Sequence, residues 1–291
     1  MGTQETIHAA VLHGIGQTPR YEPFPALVAG DGEAVVTVTA AVLKPSDRSM
    51  ANGLHYVPDR FPQVAGLDGV GRLPDGTRVA FFAPQRPYGG MAERSLVRRG
   101  MWFRIPDGID KVTAAAVTNP GMAAWKTLLW EGGLTAGEAV LVLGATGTSG
   151  RIATQLAKRH GARVIAAEGP YDLVVDYLWG APAEAVFAAL PRTRTRAGDD
   201  LRPIRYIQVG IAAGETAILP AIALRAAPVR LSGSGTGGPA ALEDAEAAYD
   251  SLLHQVATGD ISLDIDPTTP LARVEQAWPR AGSNRHIVFV P

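Results

Sequence analysis

The stretch that most constrains this chain is Leu143-Gly144-Ala-Thr-Gly147-Thr-Ser-Gly150. It follows the apolar run Ala139–Leu143, which reads as a buried strand. It opens residues 149–160, where Ile152, Leu156 and Ala157 recur with helical spacing. A glycine-rich turn between a strand and a helix is a dinucleotide signal only in such a context. Gly144 allows the tight turn, Gly147 lets backbone approach a pyrophosphate, and Gly150 lets the helix pack closely on the sheet. Free amides and the positive helix end then stabilise phosphate charge. The candidate cofactor-binding residues are therefore Gly144, Ala145, Thr146, Gly147, Thr148, Ser149 and Gly150. The spacing is G-x-x-G-x-x-G rather than the commoner G-x-G-x-x-G, and a ligand-free βα turn is the competing reading.

Around this turn the pattern alternates between strand and helix. Residues 163–167, 171–176, 204–210 and 229–235 read as strands; 182–190, 219–226 and 240–258 read as helices. Pro182 suits a first helical position and Gly161 a left-handed helix end. Such alternation means a parallel sheet covered on both faces. One connection is anomalous. Glu168–Pro170 is too short for a parallel crossover, which needs a dozen or more residues. Either a segment is missing there or the sheet is rewired. Glu168 lies about 20 residues past the turn, where a ribose-binding carboxylate could sit and would point to NAD.

Residues 7–115 read differently. Glu33–Leu43 is β-branched and partly alternating, Pro74-Asp75-Gly76 is a turn signal, and Arg78–Phe82 is a short strand. Frequent Pro and Gly favour short strands. Residues 111–131 carry a helical pattern interrupted at Pro120-Gly121, and Ile287–Val290 is a strand able to return to the first domain.

Composition excludes several chemistries. With no cysteine there is no disulfide, thiolate metal site or cysteine nucleophile, and a reducing cytoplasm is the expected setting. A formal charge of −1 gives no electrostatic case for nucleic acid or an anionic membrane. No apolar run is long enough for a membrane span, and the first residues lack an export signal.

Read in order, the motifs resemble the medium-chain dehydrogenase/reductase superfamily in its zinc-free quinone oxidoreductase branch. The residues that carry the resemblance are His8–Leu12, Ala41–Asp47, Pro62–Gly71, Gly89–Glu93 and Ile105–Gly108. Asn119–Trp125, Leu134–Gly144, Asp172–Gly180, Gln208–Gly210 and Leu231–Gly235 complete the series. The resemblance implies an α/β chain. A GroES-like, β-rich catalytic domain would hold residues 1–115 and 265–291. A Rossmann doubly wound domain, trimmed after its second strand, would hold residues 116–264, with the active cleft at their junction. It implies NAD(P)H-dependent hydride transfer to a quinone or α,β-unsaturated carbonyl, NADP(H) favoured over NAD(H), no metal, and a homodimer. The family carries about 35 more residues between the second and third strands of this domain.

Candidate chemistry then falls on few residues. Lys44 stands where the family carries Asn; its ammonium could stabilise charge developing on a substrate oxygen, or Lys44 could be an exposed loop residue or pair structurally with Asp47. Tyr56 and His55 lie in the part that lines the family's substrate cleft, and either could donate a proton. The resemblance places Asn119, Gly210, Ile211, Ser232 and Gly233 near the nicotinamide. Ser232 and Gly233 have a subunit edge as their alternative. Arg285 is a candidate phosphate contact or a plain surface arginine. Two other functions stay open: a redox-neutral cyclase or isomerase using the same cleft, and a non-catalytic nucleotide-binding dimer.

Overall fold

The computed structural model describes residues 5–165, 171–193, 202–235, 242–280 and 284–291. The chain divides into two compact units, Met1–Asn119 with Leu242–Pro291, and Pro120–Ala241.

The first unit begins with β1 (Thr6–Leu12), β2 (Arg20–Pro25), β3 (Glu33–Leu43), the short helix α1 (Pro45–Ala51) and β4 (Gln63–Val64). It continues through β5 (Asp68–Arg72), β6 (Arg78–Phe82), β7 (Arg94–Arg98) and β8 (Trp102–Arg104). Helix α2 (Lys111–Trp125) follows, and the division between the units falls within it. The second unit carries β9 (Ala139–Leu143), α3 (Thr148–Arg159), β10 (Arg163–Ile165), β11 (Leu173–Asp176) and α4 (Gly180–Thr193). It ends with β12 (Ile204–Gln208), α5 (Ala221–Ala226) and β13 (Val229–Gly233). The chain then returns to the first unit with α6 (Leu242–Ala257), β14 (Thr269–Pro270), α7 (Val274–Ala277) and β15 (Ile287–Val290).

β3 organises the first unit. It pairs antiparallel with β5, β7 and β15, so the strand expected to return does so, with Ile287 opposite Leu43. A three-stranded sheet, β2-β1-β4, accompanies this larger one. One core gathers Leu12, Leu43, Met50, Met91, Trp278 and Phe289. Helix α6 belongs with this unit rather than with the nucleotide-fold half where the sequence reading put it. Its buried Tyr249 donates to Ala114 O at 3.1 Å and meets Thr118 Oγ1 at 3.2 Å.

The expected break at Pro120-Gly121 does not occur: α2 runs through Pro120 to Trp125 and continues as a π-helical turn over Lys126–Trp130. An interior proline costs a helix roughly 3 kcal/mol. Burial of Ala114, Ala115, Ala116, Val117 and Ala124 outweighs it.

The second unit is an all-parallel sheet in the order β10-β9-β11-β12-β13. β9 and β11, buried along nearly their whole length, are the apolar runs that a doubly covered sheet requires. The sheet is not rewired at the short link. β10 and β11 flank β9 on opposite sides in ordinary parallel register. Glu168, with the rest of 166–170, lies outside the described residues. Pro182 sits two residues inside α4, which starts at Gly180, rather than at its first position.

Candidate functional site

In an open parallel sheet, ligands bind beyond the carboxyl ends of the strands where chain order reverses. Here β9 is followed in sequence by β10 on one side and by β11 on the other, so the reversal lies between β9 and β11. The glycine turn leaves β9 at that point.

Each glycine of the turn is demanded by something different. Gly144 has φ 85°, and a Cβ there would stand 3.2 Å from Leu178 Cδ2 and 3.3 Å from Tyr177 Cβ. At Gly150 a Cβ would stand 2.1 Å from Gly144 O, so α3 lies directly on the turn. Gly147 is unlike both. Its φ is −74°, and a Cβ would meet only Gly144 O, at 3.4 Å. The protein's own packing leaves room there.

Gly147 also occupies the N-cap of α3, and no side chain caps that end. The first backbone bond of the helix runs from Arg151 N to Gly147 O, at 2.9 Å. The amides of Thr148, Ser149 and Gly150 are thus those a helix start leaves unpaired. Open space beside unpaired amides fits an anionic diphosphate. Arg151, which the sequence reading passed over although it follows Gly150 directly, donates from Nε to Thr146 O at 2.8 Å and adds positive charge at the turn.

The end of β11 supports this turn. Asp176 is fully buried and accepts from Leu178 N at 2.8 Å, Trp179 N at 2.9 Å and the Tyr206 hydroxyl at 2.6 Å. Burial first, then the hydrogen bond and charge of Asp176, push the Tyr206 phenol far above its ordinary value, so it remains a donor. Trp179 holds φ 57°, a conformation costing on the order of 1–3 kcal/mol for a residue with a Cβ. Its ring packs edge-on against Phe187 and Tyr206. Gly210 and Ile211 follow β12 as expected, and Gly210 N donates to Asp176 O at 3.1 Å. Ser232 and Gly233 lie on β13, the exposed edge of the sheet.

The π turn that continues α2 carries an ion pair invisible in the sequence. Lys126 donates to Gly235 O and pairs with Glu131 at 3.2 Å. Elsewhere in the unit, burial raises the Tyr177 phenol far above its ordinary value, against a smaller downward pull from the Thr127 hydroxyl.

In the first unit, Lys44 is buried rather than exposed. Its Nζ donates to Val42 O at 3.0 Å and Asp68 Oδ1 at 2.9 Å, and stands 3.2 Å from Asp47 Oδ2. All three ammonium donors have partners within the unit, Asp47 among them. Burial would lower its pKa, but Asp47 and Asp68 outweigh burial and hold it above the ordinary lysine value. Asp68 is pushed up by burial, with Lys44 pulling against it. Asp47 pins the loop as expected, accepting from Lys44 N at 2.8 Å and Leu67 N at 3.1 Å.

Tyr56 is half-buried, with φ 52°, and its ring lies 3.7 Å from that of exposed His55. Arg86 fixes this loop by donating to Tyr56 O at 2.6 Å and Val57 O at 2.7 Å. Asn119 is half-buried in α2. Arg285 is exposed. It pairs with Asp266 at 2.5 Å and donates to Ile265 O at 3.1 Å, anchoring the approach to β15. Among the described residues no three His, Asp or Glu side chains cluster as metal ligands would.

No protein-family model matches the chain. It is 30% identical over 149 residues to a quinone oxidoreductase from Sus scrofa, covering 48% of this chain and 45% of that protein. A mycocerosic acid synthase-like polyketide synthase from Mycobacterium tuberculosis is 32% identical over 163 residues, covering 53% of this chain and 8% of that protein. The chain spans about half the length of the quinone oxidoreductases it matches. Among solved structures, the quinone oxidoreductase of Thermus thermophilus, described with its NADPH complex, superposes with a TM-score of 0.80. It is 24% identical and covers 98% of this chain and 100% of that one. Over about half of its length the chain is similar to quinone oxidoreductases. The fold, with its antiparallel first unit and parallel second unit, is that of solved quinone oxidoreductases. No helix of the described residues is long and apolar enough to cross a membrane.

Proposed function

We propose that this quinone oxidoreductase-like chain is an NAD(P)H-dependent oxidoreductase that transfers hydride to a quinone or α,β-unsaturated carbonyl, with NADP(H) favoured and NAD(H) second. The observation that carries the reading is the open N-cap at Gly147, set where the order of the parallel sheet reverses. Bound there, the dinucleotide would supply the hydride. The chain's own residues do the rest. Amides of Thr148, Ser149 and Gly150 hold diphosphate oxygens. Gly210, where a Cβ would stand 2.4 Å from Tyr177 O, and Ile211 follow β12 toward the ring end. Tyr56 is the candidate proton donor to the reduced acceptor, with His55 beside it. The NADPH named for the Thermus thermophilus enzyme supports the choice of cofactor.

Commitment of Lys44 to Asp68 and Asp47 favours a second reading. With no free ammonium to stabilise charge on the acceptor, the same site could serve a redox-neutral step or bind nucleotide without turnover. A homodimer is part of the proposal. β13 is a sheet edge with Leu231 exposed, and Ile218, Ile222 and Leu224 are exposed in the same unit.

The test is NADPH titration by fluorescence, followed by NADPH oxidation with quinone and enone acceptors, with oligomeric state from sedimentation. Saturable binding, acceptor-dependent oxidation and a dimer are expected. Absence of binding at millimolar nucleotide overturns the dinucleotide reading. Binding with no oxidation by any acceptor selects the second reading, and a monomer at high concentration removes the dimer.

A further inference from the structure

Two glycines of the second unit lean on the same short piece of backbone. A Cβ at Gly144 would press on Leu178 and Tyr177; a Cβ at Gly210 would stand 2.4 Å from Tyr177 O. Gly144 begins the turn proposed for the diphosphate, and Gly210 begins the segment proposed for the ring end. The position of Tyr177–Leu178 therefore sets both ends at once.

What fixes that backbone is a carboxylate buried behind it. Asp176 Oδ1 accepts the amides of Leu178 and Trp179, at 2.8 and 2.9 Å. Its Oδ2 accepts the Tyr206 hydroxyl at 2.6 Å, and its carbonyl accepts Val209 N and Gly210 N at 2.8 and 3.1 Å. One residue thus ties the turn after β11, the side chain of a neighbouring strand, and the segment after β12. The turn needs such holding, because Trp179 is kept at positive φ and its ring rests partly on Tyr206 itself. A charge-assisted hydrogen bond in a buried setting is stronger and more directional than a neutral one.

We propose that Asp176 and Tyr206 are positioning residues of the dinucleotide site, acting through the Tyr177–Trp179 backbone on Gly144 and Gly210. The proposal rests on reading the Gly144–Gly150 turn as the dinucleotide site, and it goes beyond that reading by naming what sets the turn's geometry. Neither side chain needs to touch the ligand. Asp176 is fully buried, and Tyr206 points its hydroxyl at Asp176. Their influence is confined to the geometry of the amides, so it acts on affinity for the dinucleotide before it acts on anything else.

The experiment uses the full chain with Tyr206→Phe, which keeps the ring and removes the donor, and with Asp176→Ala. Tyr249→Phe is the control, because it removes a buried hydroxyl of the first unit that donates to Ala114 O. NADPH titrations are run at a temperature where circular dichroism shows every variant folded. Backbone hydrogen exchange is measured without nucleotide. Tyr206→Phe should weaken NADPH binding by about tenfold, the scale of one buried hydrogen bond to a charged group, and Asp176→Ala by more. Tyr249→Phe should lower Tm with an unchanged Kd. Exchange should quicken at residues 144–150 and 210–213 in the first two variants only. Unchanged exchange in those segments, or a wild-type Kd in both variants, overturns the proposal. If the wild type binds no dinucleotide, the cofactor reading fails by itself, and the exchange measurement still decides the positioning role.

Discussion

The chain buries carboxylates in both units and uses them in opposite ways. In the first unit, Asp47 and Asp68 close around the Lys44 ammonium, and the donors and acceptors meet one another. In the second, Asp176 meets no cation among the described residues; it serves backbone amides and one phenol. The first arrangement spends its one cation on two carboxylates of its own unit. The second uses a charge to shape a loop, and the unpaired amides stand one strand away, at Gly147. Buried charge marks architecture when it is neutralised by a side chain. It marks a candidate site when it arranges backbone beside donors that lack partners.

Removing Lys44 should break the first arrangement hardest. Lys44→Met leaves two buried carboxylates with no counter-ion, and loss of one partner of a buried pair costs about 3–5 kcal/mol. The expected outcome is a large drop in Tm by differential scanning fluorimetry, partly recovered at low pH as the carboxylates take up protons. A variant as stable as the wild type would show that the ammonium is dispensable to the fold.

His286 extends the comparison to a buried base without a hydrogen-bonded counter-charge. Its Nδ1 has no partner among the described residues. Burial pushes its pKa down to about 4, against a smaller upward pull from Asp264 and Asp266. The unfolded chain takes up this proton near pH 6.5, and the folded chain does so only near pH 4. The stability due to neutral His286 is therefore full above pH 6.5 and is lost as pH falls toward 4. The loss is on the order of 3 kcal/mol at most. Urea denaturation at pH 7 and pH 4.5 should show this fall in the wild type and a shallower one in His286→Leu. Equal falls in both proteins would assign the pH dependence to other groups.

The smallest stability effect should accompany the clearest functional one. Gly147→Ala introduces a Cβ that meets only Gly144 O at 3.4 Å, and the φ of −74° suits alanine. Its cost should stay within about 1 kcal/mol, that of alanine at an N-cap. NADPH affinity should nevertheless fall at least about tenfold, because the new methyl group stands where the diphosphate would approach. Unchanged affinity would move the diphosphate away from Gly147.

Local order was legible in the sequence, and long-range pairing was not. The strands at 33–43, 78–82, 139–143 and 287–290 lie where β-branched and apolar runs placed them. The glycine turn was readable because glycine, strand and helix are consecutive. Lys44 could be seen as a cation, but not as the partner of Asp68, which lies 24 residues away. The ion pair of Arg285 with Asp266, 19 residues away, was equally hidden. Tyr206 carried no signal, since its importance comes from Asp176 across 30 residues. Pro120 misled because helix propensity is local, and burial of the surrounding alanines is not.

The pairing of β15 with β3 has a consequence for synthesis. Leu43 finds its partner only at Ile287, and Ala41 only at Phe289. Residues 120–241 emerge from the ribosome before that partner exists, so the nucleotide-fold half can form while the larger sheet still has a raw flank. That flank is rich in valine and alanine and is where a stalled or truncated product would stick to its neighbours.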